Sequence, residues 1–129
     1  MIMSTGMASE EEIAEAVDAA RIVGCKELVL LHYISSYAPM DQANIRQLGE
    51  LRRRFDVVPG LSDHTLGTTA SVADVASGAC VIEKHFTLSG ADKRPDSEFS
   101  LEPDEFKRLC QNTHDAWQAL GQAWISVVV

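Results

Sequence analysis

The sequence is poor in the features that would take it out of the ordinary globular classes. Among its 129 residues are three cysteines, Cys25, Cys80 and Cys110. They are odd in number, widely spaced and free of any CxxC pair, which excludes a disulfide framework and a thiolate zinc site. They are expected to be small buried hydrophobes in a reducing compartment. No apolar run approaches the ~18 residues needed to span a bilayer, and no charged-then-apolar leader opens the chain. A cytoplasmic protein with no membrane partner is expected. Basic residues are also scarce, since 11 Lys and Arg stand against 19 Asp and Glu, for a net charge of -8. Phosphate backbones need a basic stripe, so nucleic acid is excluded as a partner. A small anionic substrate stays open, because Lys84, Lys93 and Arg94 lie close enough in sequence to supply local cations.

What is present is a strand followed by a helix, four times over. Met1 to Ser4 is a short apolar start, and Ser9 with Glu12 reads as a capping box for a helix with Ile13, Val17 and Ala20 on one face. Gly24 is placed to stop that helix. Glu27 to His32 is a nearly continuous apolar run, as a strand covered on both sides requires. A second helix is expected from about Ala43 to Phe55, with Ile45, Leu48, Leu51 and Phe55 inward and Arg46, Arg52 and Arg53 solvated. Val57 to Leu61 predicts the third strand, Gly67 to Ser77 a helix of small residues, and Cys80 to Phe86 the fourth strand. Pro103 opens the last helix, where its missing N–H costs nothing. Phe106, Leu109, Thr113, Trp117 and Leu120 mark the face expected to be buried. Repeated βα units of this kind imply an α/β fold with a parallel sheet backed by helices. Neither a linker nor an internal repeat suggests a second domain.

Chemistry in parallel βα proteins collects at the C-terminal ends of the strands. Each strand here ends in binding-capable side chains: Ser4 and Thr5, His32 and Ser35, Ser62 to Thr65, and Glu83 to His85. Residues two apart share a face, so Ser62 points with His64 and Glu83 with His85. The two histidines stand 21 residues apart at equivalent places on successive strands. Neighbouring strands lie ~4.8 Å apart, which lets two imidazoles converge on one divalent ion. Two histidines do not complete a metal shell, and water, substrate or other residues must fill it.

The segments Gly60-Leu-Ser-Asp-His-Thr-Leu-Gly67 and Val81-Ile-Glu-Lys-His-Phe-Thr-Leu88 resemble the strand-seven and strand-eight motifs of the sialic acid synthase family. That family includes the N-acetylneuraminate, legionaminic acid, pseudaminic acid and spore-coat polysaccharide synthases. Met3-Ser-Thr-Gly-Met-Ala8 resembles the strand-five turn, and Leu30-Leu-His32 through Tyr37 resembles strand six. Arg94-Pro-Asp96 and Phe99 to Phe106 resemble the loop and helix after strand eight. The likeness spans residues 1–121, and the apolar tail 122–129 lies outside it. It implies a partial (β/α)8 TIM barrel, with four βα units corresponding to strands 5–8.

The resemblance further implies a metal-dependent condensation of phosphoenolpyruvate with an N-acetylated hexosamine aldehyde, giving a nonulosonic acid and phosphate. His64 and His85 would hold a divalent metal (Mn2+ or Mg2+). Ser4, Ser35 and Ser62 match positions that hold phosphoenolpyruvate. Tyr37 and Asp96 match positions that contact the amino sugar, and Glu83 one that orients water as a catalytic residue. Read without the family, the serines could cap loops, Tyr37 could be a packed aromatic and Asp96 a turn residue beside Pro95. The Asp96 to Ser100 stretch is closer to the pseudaminic and spore-coat members than to the N-acetylneuraminate enzymes.

A complete barrel takes ~250 residues and eight strands. Four strands leave two unpaired edges and an exposed apolar concave face, so a homo-oligomer, or pairing with a complementary half barrel, is expected. The β-prone stretch from Ile125 to Val129 adds to that tendency. The chain alone is expected to be inactive. A folded remnant binding metal or phosphate without turnover is the alternative, and another aldolase-like barrel using phosphoenolpyruvate is a weaker one.

Overall fold

A computed structural model describes residues 1–35, 39–91 and 96–121. Tyr37, Lys93, Arg94 and the tail 122–129 therefore lie outside the described residues. The elements in chain order are β1 (Ile2–Ser4), α1 (Glu10–Ile22), β2 (Val29–Ile34), α2 (Gln47–Phe55), β3 (Val58–Asp63), α3 (Thr69–Ala76), β4 (Val81–Lys84) and α4 (Pro103–Leu120). Single 3-10 turns lie at Met40–Gln42 and Ser97–Phe99. The strands form one parallel sheet in sequence order, β1-β2-β3-β4. This is the expected run of four βα units, half of a (β/α)8 barrel. None of the described helices is long and apolar enough to cross a membrane.

Local chemistry accounts for the helix ends. Ser9 N–H donates to Glu12 Oε2 at 2.8 Å and Glu12 N–H to Ser9 Oγ at 3.3 Å, closing the expected capping box of α1. Pro103 sits in the first turn of α4, where Glu102 and Glu105 form a second such box. The helix-facing side of the sheet holds the core. Val17 of α1 and Leu51 and Phe55 of α2 pack on Leu30 and on Leu28 and Val57, which lead into the strands. Ile34, Leu61, Ala43 and Ala70 form a second cluster nearer the strand tops. Each residue buried there removes apolar surface worth about 25 cal/mol per Å².

Several expectations needed correction. β2 and β3 run on to Ile34 and Asp63, further than the apolar runs suggested, because their polar ends still pair in register. α2 starts at Gln47, not Ala43. Asn44 is left-handed at φ 49°, which breaks a helix at that point, and the His32 imidazole donates to the Ala43 carbonyl just before it at 2.8 Å. In α4 Leu109 is buried, but Trp117 and Leu120 are 62% and 51% exposed. The helix packs on α3, and eighteen residues reach about 27 Å against about 12 Å for eight. Its far half outruns its support. The cysteines are free as expected, yet Cys80 and Cys110 are exposed and only Cys25 is half-buried.

Two positions constrain the upper sheet. Gly60 of β3 has no room for a side chain, since a Cβ there would meet Leu31 Cδ2 at 2.5 Å and the Val81 carbonyl at 2.7 Å. Its absence lets Leu31 close over β3. Asp74 of α3 is fully buried, and neither carboxylate oxygen has a hydrogen-bond partner among the described residues. Burial, with the Asp63 charge second, pushes its pKa up to about 7. A carboxyl whose folded pKa lies above its unfolded value near 3.8 favours the folded state fully below that value. That contribution is lost as pH rises through about 7, at roughly 1.4 kcal/mol per pH unit. Asp74→Asn should therefore raise the melting temperature relative to wild type more at pH 8 than at pH 5. An equal difference at both pH values would contradict the burial of an ionisable Asp74.

Candidate functional site

Strand alternation builds the site. Tyr33 of β2 is in register with Ser62 of β3, and Ser62 with Glu83 of β4. These three face away from the helices, and the next residues on the same side are His64 and His85. The two imidazole centroids lie 4.8 Å apart, edge to face, and Tyr33 packs on His64 at 4.9 Å. Buried Ser62 joins the group by donating from Oγ to Glu83 Oε1 at 2.7 Å, and His64 Nε2 lies 3.2 Å from Ser62 Oγ. A serine hydroxyl has one proton, and here the carboxylate takes it. His64 Nε2 must then be the donor, which leaves Nδ1 with a free lone pair in the neutral ring. Desolvation first, then the charge of His85, lowers the pKa of His64, against the opposing carboxylates of Glu83 and Asp63. Near neutral pH the ring is thus held in the uncharged form that a metal ligand requires.

Behind the sheet a second polar cluster shares the same strand tops. Asp63 and Lys84 are in register and form an ion pair at 3.0 Å, with both side chains fully buried. Asp63 Oδ1 accepts from Thr65 N and Thr65 Oγ1, each at 2.8 Å, and Oδ2 accepts from Ser71 Oγ at 2.5 Å. Lys84 Nζ also donates to the Thr65 carbonyl at 2.6 Å. Lys84 was expected to be a local cation for an anionic substrate, but it faces the helices and is already neutralised.

Sequence-predicted residues divide into four groups. His64, His85, Ser62 and Glu83 come together as the alternation required. Ser4 and Ser35 stand at or just past the ends of β1 and β2 on the same side of the sheet, Ser4 opposite Leu31. Asp96 is left-handed at φ 69°, and its carbonyl accepts from Phe99 N and Ser100 Oγ, so its visible work is that of a turn. Tyr37 lies outside the described residues. Tyr33 and the Asp63–Lys84 pair were missed, although the two-residue period already placed Tyr33 beside Ser35 and Asp63 opposite Lys84. Among the described residues no group of three or more His, Cys, Asp or Glu side chains is arranged to hold a metal ion. The histidine pair therefore fits a divalent metal as part of a shell only. A hollow between α1 and α2, lined by Thr5 and Tyr33 as well, opens beside Glu10, Glu50 and Arg54. Arg54 bridges the two glutamates there, which marks a helix–helix groove rather than a reaction site.

Comparison with known proteins agrees with this fold. Residues 1–124 match the model of the NeuB family. The chain is 44% identical over 124 residues to the N,N'-diacetyllegionaminic acid synthase of Campylobacter jejuni, covering 94% of this chain and 37% of that protein. It is 40% identical over 121 residues to the pseudaminic acid synthase of the same organism, covering 93% of this chain and 35% of that protein. The crystal structure of the N-acetylneuraminic acid synthetase of Leptospira borgpetersenii, a citrate complex, superposes with a TM-score of 0.88 at 33% identity. That match covers 98% of this chain and 45% of the crystallised one. The chain thus spans little more than a third of the length of these curated relatives.

The charges around His64 make a titration test. Its imidazole should titrate below the ordinary value of 6.5 in an NMR pH series. Glu83→Gln removes a carboxylate that favours the protonated ring and should lower the value further. His85→Ala removes a neighbouring positive charge and should raise it. Shifts of the opposite sign would contradict the side-by-side placement of the three groups.

Proposed function

The chain belongs to the NeuB family, and from that premise we propose that it supplies the metal-holding half of a nonulosonic acid synthase. The reaction is the condensation of phosphoenolpyruvate with an N-acetylated amino-sugar aldehyde and water, forming a C–C bond and releasing phosphate. One observation carries this reading: His64 and His85 converge at 4.8 Å on the face that also holds Ser62 and Glu83. In it His64 and His85 hold a divalent metal, Mn2+ or Mg2+. When bound, such an ion supplies Lewis-acid polarisation of the aldehyde oxygen. Ser62 hydrogen-bonds phosphoenolpyruvate, joined by Ser4 and Ser35 from the neighbouring strand ends. Glu83, an acceptor at the rim of the pair, orients water, while Tyr37 and Asp96 contact the amino sugar.

Turnover needs more than these residues. Two imidazoles make an incomplete shell, and no third His, Cys, Asp or Glu ligand joins them among the described residues. The concave side also exposes Ile2 and Val58. A complementary half barrel, in the same chain or another, would cover them and complete the site. A second copy of the chain is the other way to close the sheet. Binding without turnover is the reading for the chain by itself.

Calorimetry with Mn2+ tests this directly. The chain should bind the ion, and both His64→Ala and His85→Ala should abolish binding while the circular dichroism stays unchanged. A folded chain that binds no Mn2+, or a variant that binds as well as wild type, would refute the metal role.

A further inference from the structure

The buried ion pair behind the histidines has no part in the chemistry above, yet it touches the backbone on either side of it. We propose that Asp63 and Lys84 are positioning residues that clamp the His64 backbone and set its separation from His85. This inference rests on the metal reading of the pair and adds the device that holds it in shape.

The geometry is that of a closed turn around a single residue. Asp63 precedes His64 and Thr65 follows it, and Asp63 Oδ1 binds both the N–H and the hydroxyl of Thr65. His64 is the residue enclosed. Lys84 then reaches across from β4 to grip both ends of that turn, Asp63 Oδ2 on one side and the Thr65 carbonyl on the other. His64 N–H donates to the Ile34 carbonyl at 3.2 Å, which ties the same residue to β2. Lys84 is bonded in sequence to His85, whose carbonyl accepts from Leu101 N at 2.9 Å. One ammonium therefore couples the peptide carrying His85 to the turn carrying His64. Ser71 Oγ extends the cluster to α3.

A buried ion pair adds little net stability relative to apolar residues of similar size, so its contribution here is geometric. Groups that orient metal ligands from behind have a known scale of effect, and their loss weakens metal affinity by about 10- to 100-fold. Removing one partner alone strands a buried charge and risks the fold. The informative variant therefore replaces both, as Asp63→Val with Lys84→Met.

Two readouts on the 129-residue chain decide the matter: Mn2+ affinity by calorimetry, and the NMR cross-peak between the His64 and His85 rings without metal. The double variant should keep the wild-type circular dichroism, lose the ring cross-peak and bind Mn2+ at least tenfold more weakly. Wild-type affinity together with an intact cross-peak in the folded double variant would overturn the inference. Where wild type itself binds no Mn2+, the metal reading fails and the cross-peak alone decides the positioning role. Should the double variant not fold, Thr65→Val removes one donor to Asp63 with little change in shape. The same pair of measurements then applies, with a smaller loss of affinity in support and unchanged values against.

Discussion

Consecutive residues on β3 and β4 point to opposite faces of one parallel sheet, and the rest of the site depends on that alternation holding in register. Asp63 opposite Lys84 places a salt bridge on the helix side. One residue on, His64 and His85 come side by side on the other face. A slip of one residue in either strand would bury the histidines among helices and expose the ion pair. The buried pair and the apolar cluster of Leu61 and Ile82 therefore specify the register in which two imidazoles can meet. Gly60 contributes from below, because its bare Cα lets Leu31 and Val81 approach and keeps β2, β3 and β4 close at mid-sheet.

The two clusters at the strand tops solve different electrostatic problems. On the open face, Glu83 and Ser62 stay hydrogen-bonded to each other, while desolvation keeps His64 neutral. On the helix face, a full positive charge is neutralised by a carboxylate that accepts from two hydroxyls and a backbone N–H. Asp74, buried without a donor among the described residues, has its pKa raised first by that burial and second by the charge of Asp63. Asp63, Thr65, Ser71, Asp74 and the Lys84 side chain are all buried in this cluster. It lies directly behind the two residues assigned to the metal.

Much of this was legible in the sequence, for a definite reason. A two-residue period and a 21-residue spacing were enough to place His64 beside His85 and Ser62 with Glu83. The Ser9–Glu12 cap and the Pro103 start of α4 followed from chemistry local to a few residues. What escaped depended on distant partners. The start of α2 is set back by the left-handed Asn44, next to the bond between His32 and Ala43, eleven residues apart. Trp117 and Leu120 have helical spacing, yet their exposure follows from the short length of α3. Lys84 read as a free cation because its partner lies on another strand. Periodicity says which face a residue takes, and only the packed structure says what waits there.

A two-imidazole metal corner at these strand tops, as proposed, has a direct spectroscopic signature. Pulsed electron paramagnetic resonance on the Mn2+-loaded chain, with 15N-labelled histidine, reads that corner most directly. Such a corner gives hyperfine coupling to two histidine nitrogens in the wild-type chain. Mn2+ bound with no histidine nitrogen in its shell would contradict it.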